Sequence, residues 1–345
     1  MSAGLLIILL LVLTLPFFLK KVEEELEVFL FIMGCAAVTL SGVWSVDIIK
    51  EALREPVKIT LAVLAAGMLF LYAKNAITRH VSRIMNRTGL KLFIFMTTVS
   101  LGLLSSVITA IVAALVLAEI VGHIKLDKKS EIRFVVIACF SIGLGAVLTP
   151  FGEPLAAIAS GKLKGEPYHA GLFFLFNNLW YFIIPAIILM GILAAAVTKN
   201  NTESSRGLRE NREENIKDVL IRSAKIYIFV MALVLLGGGF KPLVDVYISK
   251  IPSWGIYWIN SVSAVLDNAT LAAAEIGPSM SMEQIVSALL GLIIAGGMLI
   301  PGNIPNIIAA GKLNIKSSEW AKTGLPLGLA MMAVCFIVLQ LLNIR

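Results

Sequence analysis

Cysteine and histidine are scarce in this 345-residue chain, three of each, and neither is arranged for metal or redox chemistry. Cys35, Cys139 and Cys335 all lie inside apolar runs without CxxC spacing, which argues against a disulfide framework and against a zinc site. His80, His123 and His169 are scattered in or beside loops and make no metal-ligating set. A nucleophile elbow and a paired acidic motif at a loop mouth are also missing, and with them the signatures of a membrane-embedded enzyme. Charged residues make up only 15% of the chain. What is abundant is apolar surface: 58% hydrophobic residues and a mean hydropathy of +0.91, against roughly 45–50% apolar content in soluble domains. The composition is that of a polytopic membrane protein. A net charge of +7 would suggest nucleic acid in a soluble chain, but here Lys and Arg sit in short loops between apolar segments. Topology explains them, and no nucleic-acid partner is expected.

A crossing helix needs about 20 mostly apolar residues because lipid satisfies no backbone hydrogen bonds. Such segments are predicted at 3–19, 26–45, 57–73, 131–161, 168–197, 219–240, 282–311 and 319–343. The first reads as a retained helix, since Met1-Ser2-Ala3-Gly4 offers no basic n-region and Pro16-Phe17-Phe18-Leu19 is a poor cleavage site. Two more apolar stretches, 91–120 and 254–276, carry a polar knot: Ser105, Ser106 and Thr109 in one, Ser261, Ser263, Asp267 and Asn268 in the other. If both cross, the loop Lys and Arg divide evenly between the two sides; if both re-enter, they divide twenty to eight. The second split follows the positive-inside tendency. The expectation is therefore eight crossings plus two re-entrant hairpins, in a cell membrane, with both termini extracytoplasmic.

A phrase occurs twice, 150 positions apart: GEPLAAIASGKL at 152–163 and GNIPNIIAAGKL at 302–313, identical at six of twelve positions. Three crossings separate the two hairpins, so the two related units are expected to be inverted. The chain then divides into N-terminal helices (1–56), a first repeat (57–197), a polar cytoplasmic linker (198–218) and a second repeat (219–345). Inverted repeats are the construction of secondary transporters. In each unit the repeated phrase is predicted to break a helix, at Pro150, Gly152 and Pro154 and again at Pro301, Gly302 and Pro305. A break frees carbonyls and exposes a half-helix N-terminus, suited to a cation and an anion respectively. A simple proline kink would not require Glu153 and Asn303 at corresponding positions.

Intramembrane carboxylates sharpen this reading. Asp267 and Glu153 would be costly in bare lipid, so each is expected to face a cavity or a partner. With Thr149, Thr109, Ser263, Asn268, Asn303, Asn306 and backbone carbonyls, they form an oxygen-rich set that suits sodium. A buried carboxylate contested by proton and sodium is the minimal machinery of an antiporter. Glu119 and Glu275 end their segments and are expected at the water interface. Lys162 and Lys312, repeated in Gly-Lys-Leu, are expected near opposite interfaces, where snorkelling and substrate binding both remain open. Asn177 and Asn178 read as an interhelical hydrogen-bonding pair.

The hairpin SAVLDNAT, the breaks TPFGEP and PGNIPN, and the following WAKTGLPLG resemble the ion-transporter superfamily. That superfamily includes sodium/proton antiporters, arsenite permeases and dicarboxylate transporters. More narrowly, the chain resembles a family catalogued as a domain of unknown function, number 1646, over most of residues 57–343. The resemblance implies an all-α fold of two inverted units, each with a re-entrant hairpin and an unwound helix, often dimeric and working by alternating access. The first unit departs from the pattern, with Thr109-Ala110 where an Asp-Asn or Ser-Asn pair is expected and Glu153 in place of the break asparagine. Sodium/proton antiport is the first expectation, with sodium and proton as the transported or coupling ions and no other cofactor. Sodium-coupled transport of a dicarboxylate or inorganic oxyanion is the alternative; an enzyme or a channel ranks below both.

Overall fold

The computed structural model describes residues 2–19, 21–22, 25–57, 60–61, 64–65, 68, 83–84, 87–124, 126–198, 216–247, 251–266 and 268–342. Most of the expected helix 57–73, most of the linker and Asp267 itself lie outside the described residues. The described residues are overwhelmingly helical, with no strand among them. The helices are α1 (Ser2–Phe18), α2 (Leu26–Ser41), α3 (Leu90–Ile108), α4 (Ala110–Val121), α5 (Lys128–Ala146), α6 (Pro154–Lys162) and α7 (Phe174–Val197). They continue as α8 (Ile216–Tyr247), α9 (Ser253–Ile259), α10 (Asn268–Glu275), α11 (Met282–Gly296), α12 (Ile304–Leu313) and α13 (Ser317–Leu342). Short 3-10 turns occupy Asn260–Ala264 and Ile300–Gly302.

Four helical segments among the described residues are long and apolar enough to cross a membrane: Leu90–Ile108, Phe174–Val197, Val219–Pro242 and Ser317–Leu341. The predicted spans at 131–161 and 282–311 are each divided into two shorter helices, because prolines withhold amide donors and glycines favour a bend. Residues 46–57 are helical, ahead of the start expected at 57. Their charge, with Asp47, Lys50, Glu51, Arg54 and Glu55, hides them from hydropathy.

Small residues set how closely the helices approach, as they do where lipid supplies no hydrophobic drive between helices. Along the α3–α5 contact the Ser141 hydroxyl donates to the Thr98 carbonyl at 2.9 Å, and the Thr149 hydroxyl just beyond α5 donates to the Ser106 carbonyl. Between these points Gly102 and Gly145 are so close that a Cβ on Gly145 would overlap the Gly102 carbonyl. The matched positions advance by four residues on each strand of the contact, so α3 and α5 run in the same direction. In the second half, hydrogen bonds link Ser253 with Glu283 at 2.6 Å, Asn260 with Ala288 at 3.2 Å and Ser263 with Leu292 at 3.0 Å. These align the 253–264 segment with α11 in the same sense. Gly34 of α2 meets the Ala232 and Leu235 side of α8, and Gly239 meets Ala37, making a third close helix pair.

Candidate functional site

Both breaks are built alike. The α5 helix stops at Ala146, and after a turn Glu153 stands extended at φ −155 and ψ 162 before Pro154 opens α6. The α11 helix stops at Gly296, and Asn303 stands extended at φ −154 and ψ 146 before α12, with Pro305 in its first turn. Neither Glu153 nor Asn303 caps its helix through the side chain. Both are buried. The glycine before each is forced by a close approach: a Cβ on Gly152 would overlap the Ala146 carbonyl, and one on Gly302 would lie 2.6 Å from the carbonyl oxygens of Gly296 and Ser263.

The first break seats the joint between α3 and α4. The Ala110 amide donates to the Gly152 carbonyl at 2.8 Å, and Thr149 holds the Ser106 carbonyl. Thr109 between the two helices has φ 74, a left-handed conformation that a β-branched residue adopts only under strain. Its hydroxyl accepts from the Val112 amide at 3.4 Å. Pro150 is half-buried in the turn, so Thr109, Thr149, Pro150, Gly152, Glu153 and Pro154 belong to one junction.

The second break gathers three buried amides. Asn306 donates through Nδ2 to the carbonyls of Gly296 at 2.8 Å and Leu299 at 2.9 Å, covering carbonyls that the helix end leaves free. Asn268, at the start of α10, brings its Nδ2 toward Gly296, where a glycine Cβ would lie 3.4 Å away. Asn303 reaches α5, its Nδ2 lying 2.9 Å from where a Cβ on Gly143 would be. Pro301 and Gly302 form the 3-10 turn, and the Ser263 hydroxyl is a donor to Leu292. The arrangement brings three amide side chains and a hydroxyl together where a helix is interrupted, with Asn306 covering two of the freed carbonyls.

Three expectations are corrected. Glu119 and Lys312 are not at a water interface: Lys312 Nζ donates to Glu119 Oε2 at 2.6 Å, with side chains only 1% and 3% exposed. Mutual neutralisation is what permits such burial. His123 Nδ1 lies 2.7 Å from the Glu119 main-chain oxygen and 3.7 Å from its Oε1. Glu275 is buried as well, whereas Lys162 is exposed. Among the described residues Asn178 does not join helices; its Nδ2 bonds to the Phe174 carbonyl of its own helix at 2.7 Å, and Asn177 is exposed. The Glu119–Lys312 pair is the feature that sequence reasoning missed, although a lone glutamate in the apolar stretch Ala110–Val121 was its available signal. No group of three His, Cys, Asp or Glu side chains suited to a metal occurs among the described residues.

The described residues are all-helical in their regular structure, with four segments long and apolar enough to cross a membrane and two interrupted helices. The sequence profile of the family described as "Protein of unknown function (DUF1646)" matches residues 2–342, and the chain belongs to that family. No curated protein matches it.

Proposed function

We propose that this protein is a secondary active transporter of small inorganic ions, with sodium/proton antiport the reading its site supports best. The observation that carries it is the repeated break, with Glu153 and Asn303 in the same extended conformation at corresponding positions. Two sets of contacts support an inverted relation between the units. Lys312 on Glu119, and Lys128 on Glu319 at 2.5 Å, put the end of α12 beside the start of α5. The Tyr168 hydroxyl, donating to the Met280 carbonyl, puts the chain beyond α6 beside the start of α11. We read units related in this way as inverted repeats, the framework of alternating access. Because α3 and α5 run the same way and only residues 122–127 join α4 to α5, α4 turns back toward the end where α3 began. On this reading α3 and α4 form a re-entrant hairpin, with α9, the following 3-10 turn and α10 as its counterpart.

In this reading Asp267 and Glu153 are the contested carboxylates, and the protein binds and releases ions without converting a substrate. It works as a homodimer in the cell membrane with both termini outside. A second reading, sodium-coupled transport of a dicarboxylate or oxyanion, draws on the N-termini of α6 and α12, whose first residues lack side-chain caps. Purified protein in liposomes separates the two: a sodium gradient alone should drive proton flux in an antiporter, whereas an anion carrier needs its anion for sodium uptake. Asp267→Asn should leave folded protein and abolish sodium-driven proton flux. Normal flux with normal pH dependence in that variant would sink the antiport mechanism.

A further inference from the structure

One stretch of the chain carries cations with no anions among them. Between Glu55 and Glu119 the sequence holds no acidic residue, yet it carries Lys58, Lys74, Arg79, Arg83, Arg87 and Lys91. Elsewhere the two signs are interleaved: three glutamates follow Lys20 and Lys21, Asp127 and Glu131 fall within residues 125–133, and residues 199–222 include five acidic side chains. The positive-inside tendency counts Lys and Arg and is little affected by Asp and Glu, so topology does not account for a stretch free of acids.

The described part of this stretch stands where the chain enters α3. Residues 83–84 and 87–88 are helical, and the Thr88 hydroxyl donates to the Ile84 carbonyl at 3.0 Å, one turn back. Gly89, with φ 77 and ψ 157, then turns the chain before α3 begins at Leu90. The four-residue spacing of Arg83 and Arg87 puts them on one helix face, and Lys91 follows in the first turn of α3. All three cations are exposed, and none makes an ion pair among the described residues. Ile84 and Leu92, the neighbours of Arg83 and Lys91 in the chain, are each 49% exposed. Since α3 is long and apolar enough to cross a membrane, this mixture of exposed basic and apolar side chains stands at the end of an apolar helix, the composition that suits the boundary between headgroups and acyl chains.

We propose that Arg83, Arg87 and Lys91 form a docking surface for anionic phospholipid headgroups, with Ile84 and Leu92 against the adjoining acyl chains. Uncompensated cations beside a bilayer are drawn to an anionic leaflet, an attraction that interleaved acidic residues would offset. The two arginines add geometry, because a guanidinium can donate to two phosphate oxygens at once. The surface requires α3 to enter the bilayer but does not rest on the transport reading, because lipid binding is measured without flux.

The test uses purified full-length protein in detergent micelles containing equal amounts of phosphatidylglycerol and phosphatidylcholine, with the lipid retained by the protein counted by mass spectrometry. Wild type should retain phosphatidylglycerol several-fold over phosphatidylcholine, and the preference should fall as NaCl is raised. The triple variant Arg83→Gln, Arg87→Gln, Lys91→Gln should lose most of that preference. A control that removes the same charge from other exposed positions, Lys129→Gln, Lys217→Gln, Lys322→Gln, should keep it. The three single variants of the surface should each lower the preference part of the way, which gives the same comparison at less risk to folding. Equal retention of the two lipids by wild type, or an unchanged preference in the triple and single variants, would overturn the proposal. Displacement of phosphatidylglycerol by inorganic phosphate at constant ionic strength would overturn it too, by assigning the cations to a free phosphate.

Discussion

Glu119 and Lys312 neutralise one another almost without water, so removing either leaves a charge stranded in the interior. Glu119→Gln or Lys312→Met alone should destabilise the protein by about 3–5 kcal/mol, and Glu119→Leu with Lys312→Met should recover much of that loss. Thermal unfolding in detergent distinguishes the outcomes; a double variant no better than the singles would show that the pair is not the relevant unit. Asp127 works at the surface instead. Its Oδ2 accepts from the Ser130 amide at 3.1 Å and caps α5. Partial burial pushes the Asp127 carboxyl up, but the opposing hydrogen bonds to Ser130 outweigh it and hold the group below its ordinary value. A carboxyl lowered by folding contributes stability above its unfolded pKa and loses it as pH falls through the folded value. Asp127→Ala should therefore cost about 1 kcal/mol near neutral pH, and the difference from wild type should shrink on acidification.

At the scale of elements, the glycines of the repeated phrase divide into two kinds. Gly152 and Gly302 sit where a Cβ would meet backbone, whereas Gly161 and Gly311, nine residues on in each half, have nothing within 4 Å. Gly302→Ala should lower Tm and yield sharply, while Gly161→Ala and Gly311→Ala should be neutral or add up to about 1 kcal/mol through helix propensity. Equal effects at all three sites would show that the breaks are not tightly packed. The breaks were legible in the sequence because proline and glycine act on their own backbone, and the repeat marked which of them matter. The Glu119–Lys312 pairing was not legible: its partners are 193 positions apart, and no local pattern encodes that meeting. Asn178 misled for the related reason that an amide in a helix can bond to its own preceding turn, here the Phe174 carbonyl. Helical residues from 46 onward escaped notice because hydropathy reports lipid contact, not helicity.

For the whole molecule, the proposed inverted arrangement of the two units sets which loops should share a face. Cysteines introduced at Lys164 and Ser279, both exposed, should be labelled from the same side by a membrane-impermeant thiol reagent, and one at Lys128 from the opposite side. Labelling of positions 128 and 164 from one face would rule out the inverted arrangement. The close pairing of Gly34 in α2 with the Ala232–Leu235 stretch of α8 has a further consequence, for biogenesis. The ribosome delivers α2 nearly two hundred residues before its partner exists, so the face of α2 around Gly34 waits unpaired while the whole first half is made. Cotranslational folding therefore ends late, and a nascent chain stalled before α8 presents an unfilled helix groove to the insertion machinery.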